Sequence, residues 1–185
     1  MLRPSHSHIL NKFGLGTIGV EIGIDAGDYS DIVLKLLSPS KYYMIDPYVR
    51  YGDMSRSQEH YNGMYESVCK RFSGVSNVNI IRLKSEHATY LIRETLDFVY
   101  LDGDHEYPAV KSDLELYYPM LKDGGVLCGH DYREKNSPDD WMGVKEAVDE
   151  FANKNKLNLV IQEDSNSHIC DWWIDKSYER VINVT

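Results

Sequence analysis

Short apolar runs alternate along this chain with segments in which apolar residues return every three or four positions. The runs at 17–24 (TIGVEIGI), 41–46 (KYYMID), 78–83 (VNIIRL), 96–102 (LDFVYLD), 124–131 (GGVLCGHD), 157–162 (LNLVIQ) and 168–175 (HICDWWID) predict seven strands. Their near-continuous apolar character predicts burial on both faces, as in a parallel sheet covered by helices. The intervening segments read as amphipathic helices. Ile32, Val33, Leu36 and Leu37 share one face, and Tyr61, Met64, Tyr65, Val68 and Phe72 share another. Pro108 suits the first turn of a helix carrying Val110 and Leu114, and residues 141–154 repeat the pattern with Val144, Val148 and Phe151. Strand–helix alternation predicts an α/β, Rossmann-like, doubly wound sheet of seven mostly parallel strands. The last two runs are joined by the polar stretch EDSNS with no helix, so an antiparallel strand is expected at that edge.

No repeat or linker divides the 185 residues, which predicts a single domain over 1–185. Residues 1–14 read as an N-terminal segment with His6 and His8 in solvent, and 48–64 as a candidate lid over a lean site. Such a site suits a bulky substrate reaching in from solvent, or closure by a second copy in a homodimer. The net charge of −9 disfavours nucleic acid and anionic membranes as partners, because both demand clustered Lys and Arg. Cys69, Cys128 and Cys170 are scattered and odd in number, as expected of reduced thiols in the cytoplasm. No apolar run approaches the ~20 residues of a membrane span, and the first residues lack a signal-peptide layout.

In a doubly wound sheet, ligands bind at the carboxyl ends of the strands. Every chemically suggestive residue here falls at such an end. The turn VEIGIDAGDYS (20–30) offers Gly23 and Gly27 for a tight bend and close approach to a ligand. Its acids Glu21, Asp25 and Asp28 would repel phosphate and favour a cationic or zwitterionic ligand. Asp46 ends the second run roughly 20 residues later, where nucleotide-binding domains place an acid for ribose hydroxyls. Asp102, Asp104, His105 and Glu106 crowd the end of the fourth run, and His130 and Asp131 the end of the fifth. Asp104 and Glu106 also suit the first turn of the helix at Pro108, where acids complement the dipole.

The chain resembles the class I S-adenosylmethionine-dependent methyltransferases over roughly residues 15–176. VEIGIDAGDYS is similar to the loop that wraps the cofactor's methionine, which implies contacts from Glu21, Gly23, Asp25 and Gly27. MIDPY (44–48) resembles the motif whose acid binds ribose, here Asp46, and IRLKSEHA (81–88) implies Ser85 and Glu86 beside adenine. LDFVYLDGDHEY and LKDGGVLCGHDY resemble the small O-methyltransferase branch, with its catechol, macrocin and sugar enzymes. In the metal-dependent members an acid ends strand four and an adjacent pair of oxygen donors ends strand five. The resemblance therefore implies Asp102, His130 and Asp131 as ligands of a divalent ion, with Asp102 also near the cofactor. His130 departs from the usual oxygen donor: magnesium prefers all-oxygen shells, whereas imidazole suits manganese and softer ions. Three readings stay open, namely a softer ion, a His130 that is not a ligand, or no ion at all.

These readings converge on methyl transfer to a hydroxyl of a small molecule, sugar or glycan, with S-adenosylmethionine as cofactor and a divalent metal (Mg or Mn) assisting. His105 is the first candidate base, His130 the second and Asp102 a catalytic acid neighbour. The alternatives are a metal-dependent nucleotide-sugar glycosyltransferase, since DGD is also a DxD motif, and a non-catalytic cofactor-binding relative.

Overall fold

The computed structural model describes residues 3–50, 56–132, 142–163 and 170–177. The element order is α1 (Pro4–Phe13), β1 (Ile18–Ile22), α2 (Asp28–Leu37), β2 (Lys41–Ile45), α3 (Gln58–Arg71), β3 (Val78–Ile81), α4 (Ser85–Ala88), β4 (Leu96–Leu101), α5 (Tyr107–Tyr117), β5 (Leu121–Tyr132), α6 (Met142–Asn155), β6 (Leu159–Glu163) and β7 (Cys170–Asp175). Short 3₁₀ turns follow α4 and α5.

The seven strands form one sheet in the order β3-β2-β1-β4-β5-β7-β6. β1 to β5 pair in parallel, and β7 runs antiparallel to both β5 and β6. The expected architecture is thus present, with β7 one place in from the edge. The EDSNS stretch lies almost wholly outside the described residues.

Period-two alternation divides each central strand between two cores. Tyr43, Ile45, Val99 and Leu101 pack with α5 and α6 on one face. Tyr42, Met44, Phe98 and Tyr100 pack with α1, α2 and α3 on the other. Ser57 caps α3 by accepting from the His60 N–H at 3.2 Å, and Pro108 stands in the first turn of α5, as expected. Among the described residues no helix is long and apolar enough to cross a membrane.

The N-terminal segment corrects the sequence expectation. It forms α1, opened by Pro4, and Ile9 is fully buried against the second core. His6 is not solvated: its ring is 0% exposed, with centroids 5.2 Å from Tyr29, 5.6 Å from Phe98 and 4.5 Å from Tyr100. Burial, reinforced by Arg3, pushes its pKa down to about 3, so it packs as a neutral aromatic. His8 lies at the rim of the helix, stacked on Trp173 with Nε2 2.9 Å from Asp175 Oδ1. The reason is geometric: the sheet face carrying Phe98 and Tyr100 needs a cover, and α1 supplies it.

Candidate active site

β1, β2 and β3 are laid down to one side of the sheet and β4 and β5 to the other, so strand order switches between β1 and β4. A crevice opens at the carboxyl ends of such a pair. Here the rim is stitched by backbone bonds: Gly23 N–H donates to Ile45 O at 2.9 Å, Asp102 N–H to Ile22 O at 2.8 Å, and Asp46 N–H to Ile81 O at 3.2 Å. The ends of β3, β2, β1 and β4 therefore lie side by side.

The glycine turn is as tight as expected, with φ of +86° at Gly23 and +77° at Gly27. What the glycines approach is different. A Cβ at Gly23 would stand 2.1 Å from the Asp102 carbonyl oxygen, and one at Gly27 2.8 Å from the Phe72 ring. Both glycines make room for the protein's own atoms. Gly23 lets the turn press against the end of β4, and Gly27 lets α2 start close to α3.

Two acids hold this turn. Glu21 is 2% exposed and accepts from Ser30 Oγ at 2.6 Å and Tyr42 OH at 2.8 Å. Burial outweighs those two donors and pushes its pKa up to about 7. Asp46 accepts from the N–H groups of Ile24 (3.0 Å), Asp25 (3.2 Å) and Tyr48 (2.8 Å). Its carboxylate thus fixes the turn from the neighbouring strand. Tyr48 completes the clamp, donating its hydroxyl to Asp25 O at 2.9 Å. Asp25, Tyr48 and Asp131 all adopt left-handed backbone, with φ of 50°, 48° and 58°. For a buried tyrosine that conformation costs on the order of 1–3 kcal/mol, and such residues gather at functional rims.

Across the switch point, the ends of β4 and β5 bring three of the predicted residues together. Asp102, His105 and Asp131 each offer a donor atom within 4.8 Å of the others. His105 Nε2 lies 3.0 Å from Asp131 Oδ2 and 3.8 Å from Asp102 Oδ1. Burial alone would lower the histidine's pKa, but the two carboxylates override it and raise it to about 9. His105 is therefore an imidazolium at neutral pH, not the neutral base its ordinary value suggests. The two carboxylates are held below their ordinary range: burial opposes ionisation, but it is outweighed by His105 together with Arg3 at Asp102 and by His105 together with His130 at Asp131. Of the three ligands expected from sequence, Asp102 and Asp131 stand in this triangle and His130 stands beside it. His130 is 7% exposed, with Nδ1 3.2 Å from Asp131 Oδ2, and the imidazole that closes the triangle with both carboxylates is His105.

Asp104 bonds the Glu106 N–H at 3.0 Å, and Glu106 stands at the N-cap of α5, so this pair serves the helix start. Ser85 opens α4, its carbonyl accepting from Tyr117 OH at 2.8 Å, while Glu86 is exposed. The candidate lid is described at Tyr48–Arg50 and from Arg56, where α3 follows; its middle, residues 51–55, lies outside the described residues.

Sequence reasoning missed Arg3. Its guanidinium donates to Asp102 Oδ2 at 2.6 Å and to the Tyr100 hydroxyl, and it lies 4.1 Å over the Tyr29 ring. It also missed Asp113, a buried acid on α5 beside Ser85, whose pKa burial raises to about 6. The Arg-Pro pair that opens α1 was the available signal for Arg3, but nothing in one dimension says which strand end that helix reaches.

The donor triangle suits a divalent ion in size, and its mixture of two carboxylates with one imidazole suits manganese, iron, cobalt or zinc better than magnesium. Two positive groups, Arg3 and the imidazolium of His105, already stand on those carboxylates. An incoming ion would displace the His105 proton and meet the guanidinium.

The strand order and the crevice at its switch point are those of the class I S-adenosylmethionine-dependent methyltransferase fold. A family model described as a methyltransferase domain matches residues 20–132, and the chain belongs to that family. The curated relative R132, an uncharacterized protein of Acanthamoeba polyphaga mimivirus, is 28% identical over 138 residues, covering 70% of this chain and 60% of that protein. Among solved structures, an rRNA methylase from Streptococcus thermophilus superposes with a TM-score of 0.66 at 16% identity, covering 96% of this chain and 99% of the other. An O-methyltransferase family protein from Burkholderia thailandensis gives 0.68 at 10% identity, over 95% of this chain and 56% of that one. The N-methyltransferase NodS from Bradyrhizobium japonicum WM9, in complex with S-adenosyl-L-homocysteine, gives 0.63 at 17%, over 95% and 89%. At these identities the solved structures speak to the fold.

Proposed function

We propose that this domain transfers a methyl group from S-adenosylmethionine to a hydroxyl oxygen of a small molecule or a sugar. The observation that carries the reading is the Asp102–His105–Asp131 cluster set directly against the glycine turn, with Gly23 packed on the Asp102 backbone. The turn's exposed acids Asp25 and Asp28 suit a cationic sulfonium, Asp46 suits the ribose hydroxyls, and Ser85 and Glu86 suit the adenine. The hydroxyl enters beside His105. As the oxygen attacks, the carbon–oxygen bond forms, the carbon–sulfur bond breaks, and the electron pair returns to sulfur, leaving neutral S-adenosylhomocysteine. The hydroxyl proton passes to His105 Nε2, which must first have lost its own, so the rate should climb as pH rises toward about 9. Holding oxygen and methyl in line is worth more than the proton transfer alone. The charge of −9 favours a small acceptor over RNA.

Calorimetry with S-adenosylhomocysteine tests the cofactor half. Wild-type protein should bind, and Asp46→Ala should bind about ten-fold or more weakly, since it removes the ribose acceptor and unpins the turn. A panel of hydroxyl acceptors read by mass spectrometry tests the other half, with Asp102→Asn losing turnover while keeping cofactor affinity. No binding of S-adenosylhomocysteine, or full turnover by Asp102→Asn, overturns the reading.

A further inference from the structure

Asp102 carries a partner that the other end of the chain delivers. Arg3 precedes α1, and its place is fixed from several sides: its own N–H donates to Tyr29 OH at 3.0 Å, and the Ser5 N–H donates to Asp171 Oδ2 at 2.7 Å. The buried His6 ring sits between Tyr29, Phe98 and Tyr100, and Ile9 is 0% exposed. From that footing the guanidinium bonds Asp102 Oδ2 at 2.6 Å and Tyr100 OH while stacking on Tyr29 at 4.1 Å. The Arg3 and Asp102 side chains are 22% and 21% exposed, so the pair is shielded from solvent. An arginine so placed cannot lose its charge.

We propose that Arg3 is the resident cation of the acceptor site: it occupies, on Asp102, the electrostatic role that a divalent ion would otherwise take, so that a docked α1 excludes the metal. The Asp102–His105–Asp131 donors are close enough together to take up an ion. What keeps one out is a fixed positive charge bonded to the very carboxylate it would need, in a shielded place where like charges repel more strongly than in water. The inference rests on the reading of this rim as the acceptor site only for its consequence, that methyl transfer here is independent of divalent metal. The exclusion itself is a property of Arg3 and Asp102.

The test is Mn²⁺ binding to the purified chain, followed by the loss of the free-ion electron paramagnetic resonance signal. Wild-type protein and Arg3→Lys, which keeps the charge, should bind Mn²⁺ weakly, and Arg3→Gln should bind it about ten-fold or more tightly. Adding Asp102→Asn to Arg3→Gln should erase that gain. An arginine that merely anchored α1 would not sort the variants by charge. Equal Mn²⁺ affinity in wild type and Arg3→Gln, whether tight or absent, overturns the proposal. Should Arg3→Gln fail to fold, wild type decides: saturation at micromolar Mn²⁺ overturns the proposal, and none up to millimolar supports it. S-adenosylhomocysteine titrated into the same samples separates the two readings. Lost cofactor binding with charge-sorted Mn²⁺ affinities sinks the methyltransferase reading and leaves this one standing.

Discussion

Glu21 shows how one side chain under the glycine turn couples the fold to pH. It is buried, and its carboxyl is satisfied by Ser30 and Tyr42, yet burial still raises its pKa from 4.5 to about 7. Between those values the folded state holds a proton that the unfolded chain has released. Stability contributed at this residue therefore falls as pH rises from about 4.5 to about 7 and stays low above it. Glu21→Gln keeps an oxygen for both donors and removes the charge. Its stability in urea relative to wild type should rise across that window, by up to about 3 kcal/mol, whereas a difference flat in pH would show that Glu21 ionises freely. His105 follows the same sign at higher pH: its raised pKa means that its favourable pairing with Asp102 and Asp131 is complete below about 6.5 and fades as pH passes about 9. The acid at 21 was legible in the sequence as part of a strand–helix turn; its two donors were not, because Ser30 is nine residues away and Tyr42 stands on another strand.

At the scale of elements, the close contact of the β1–α2 turn with the end of β4 sets the geometry of the rim. Gly23→Ala would place a methyl group 2.1 Å from the Asp102 carbonyl oxygen and hold a positive φ that alanine disfavours. The variant should lose S-adenosylhomocysteine binding in calorimetry and melt several degrees lower, consistent with a cost on the order of 2 kcal/mol or more. Unchanged affinity would mean that the turn does not depend on its seat against β4. The seven strands and the helices α2, α3, α5 and α6 were readable from periodicity, because each buries a face through its own residues. α1 was not, since its short polar sequence PSHSHILNKF has only a narrow apolar stripe and takes its stability from the sheet it covers.

For the whole molecule, α1 packs on the sheet face that carries Phe98 and Tyr100, and Arg3, just before it, stands on Asp102. Ile9 is fully buried in the core that it shares with Phe98 and Tyr100. Ile9→Ala should cost about 3 kcal/mol in equilibrium unfolding, and a loss below about 1 kcal/mol would show that the helix is a loosely held cover. The sequence by itself determined the class of fold and which acids, Asp46, Asp102 and Asp131 among them, stand at the ends of strands, because apolar period and strand-end position are local properties of a chain. Only the tertiary structure decided which imidazole meets the two carboxylates, that His105 is charged, and that Arg3 stands on Asp102. Those facts depend on distances between residues 26 and 99 positions apart, and on burial that no single segment possesses alone.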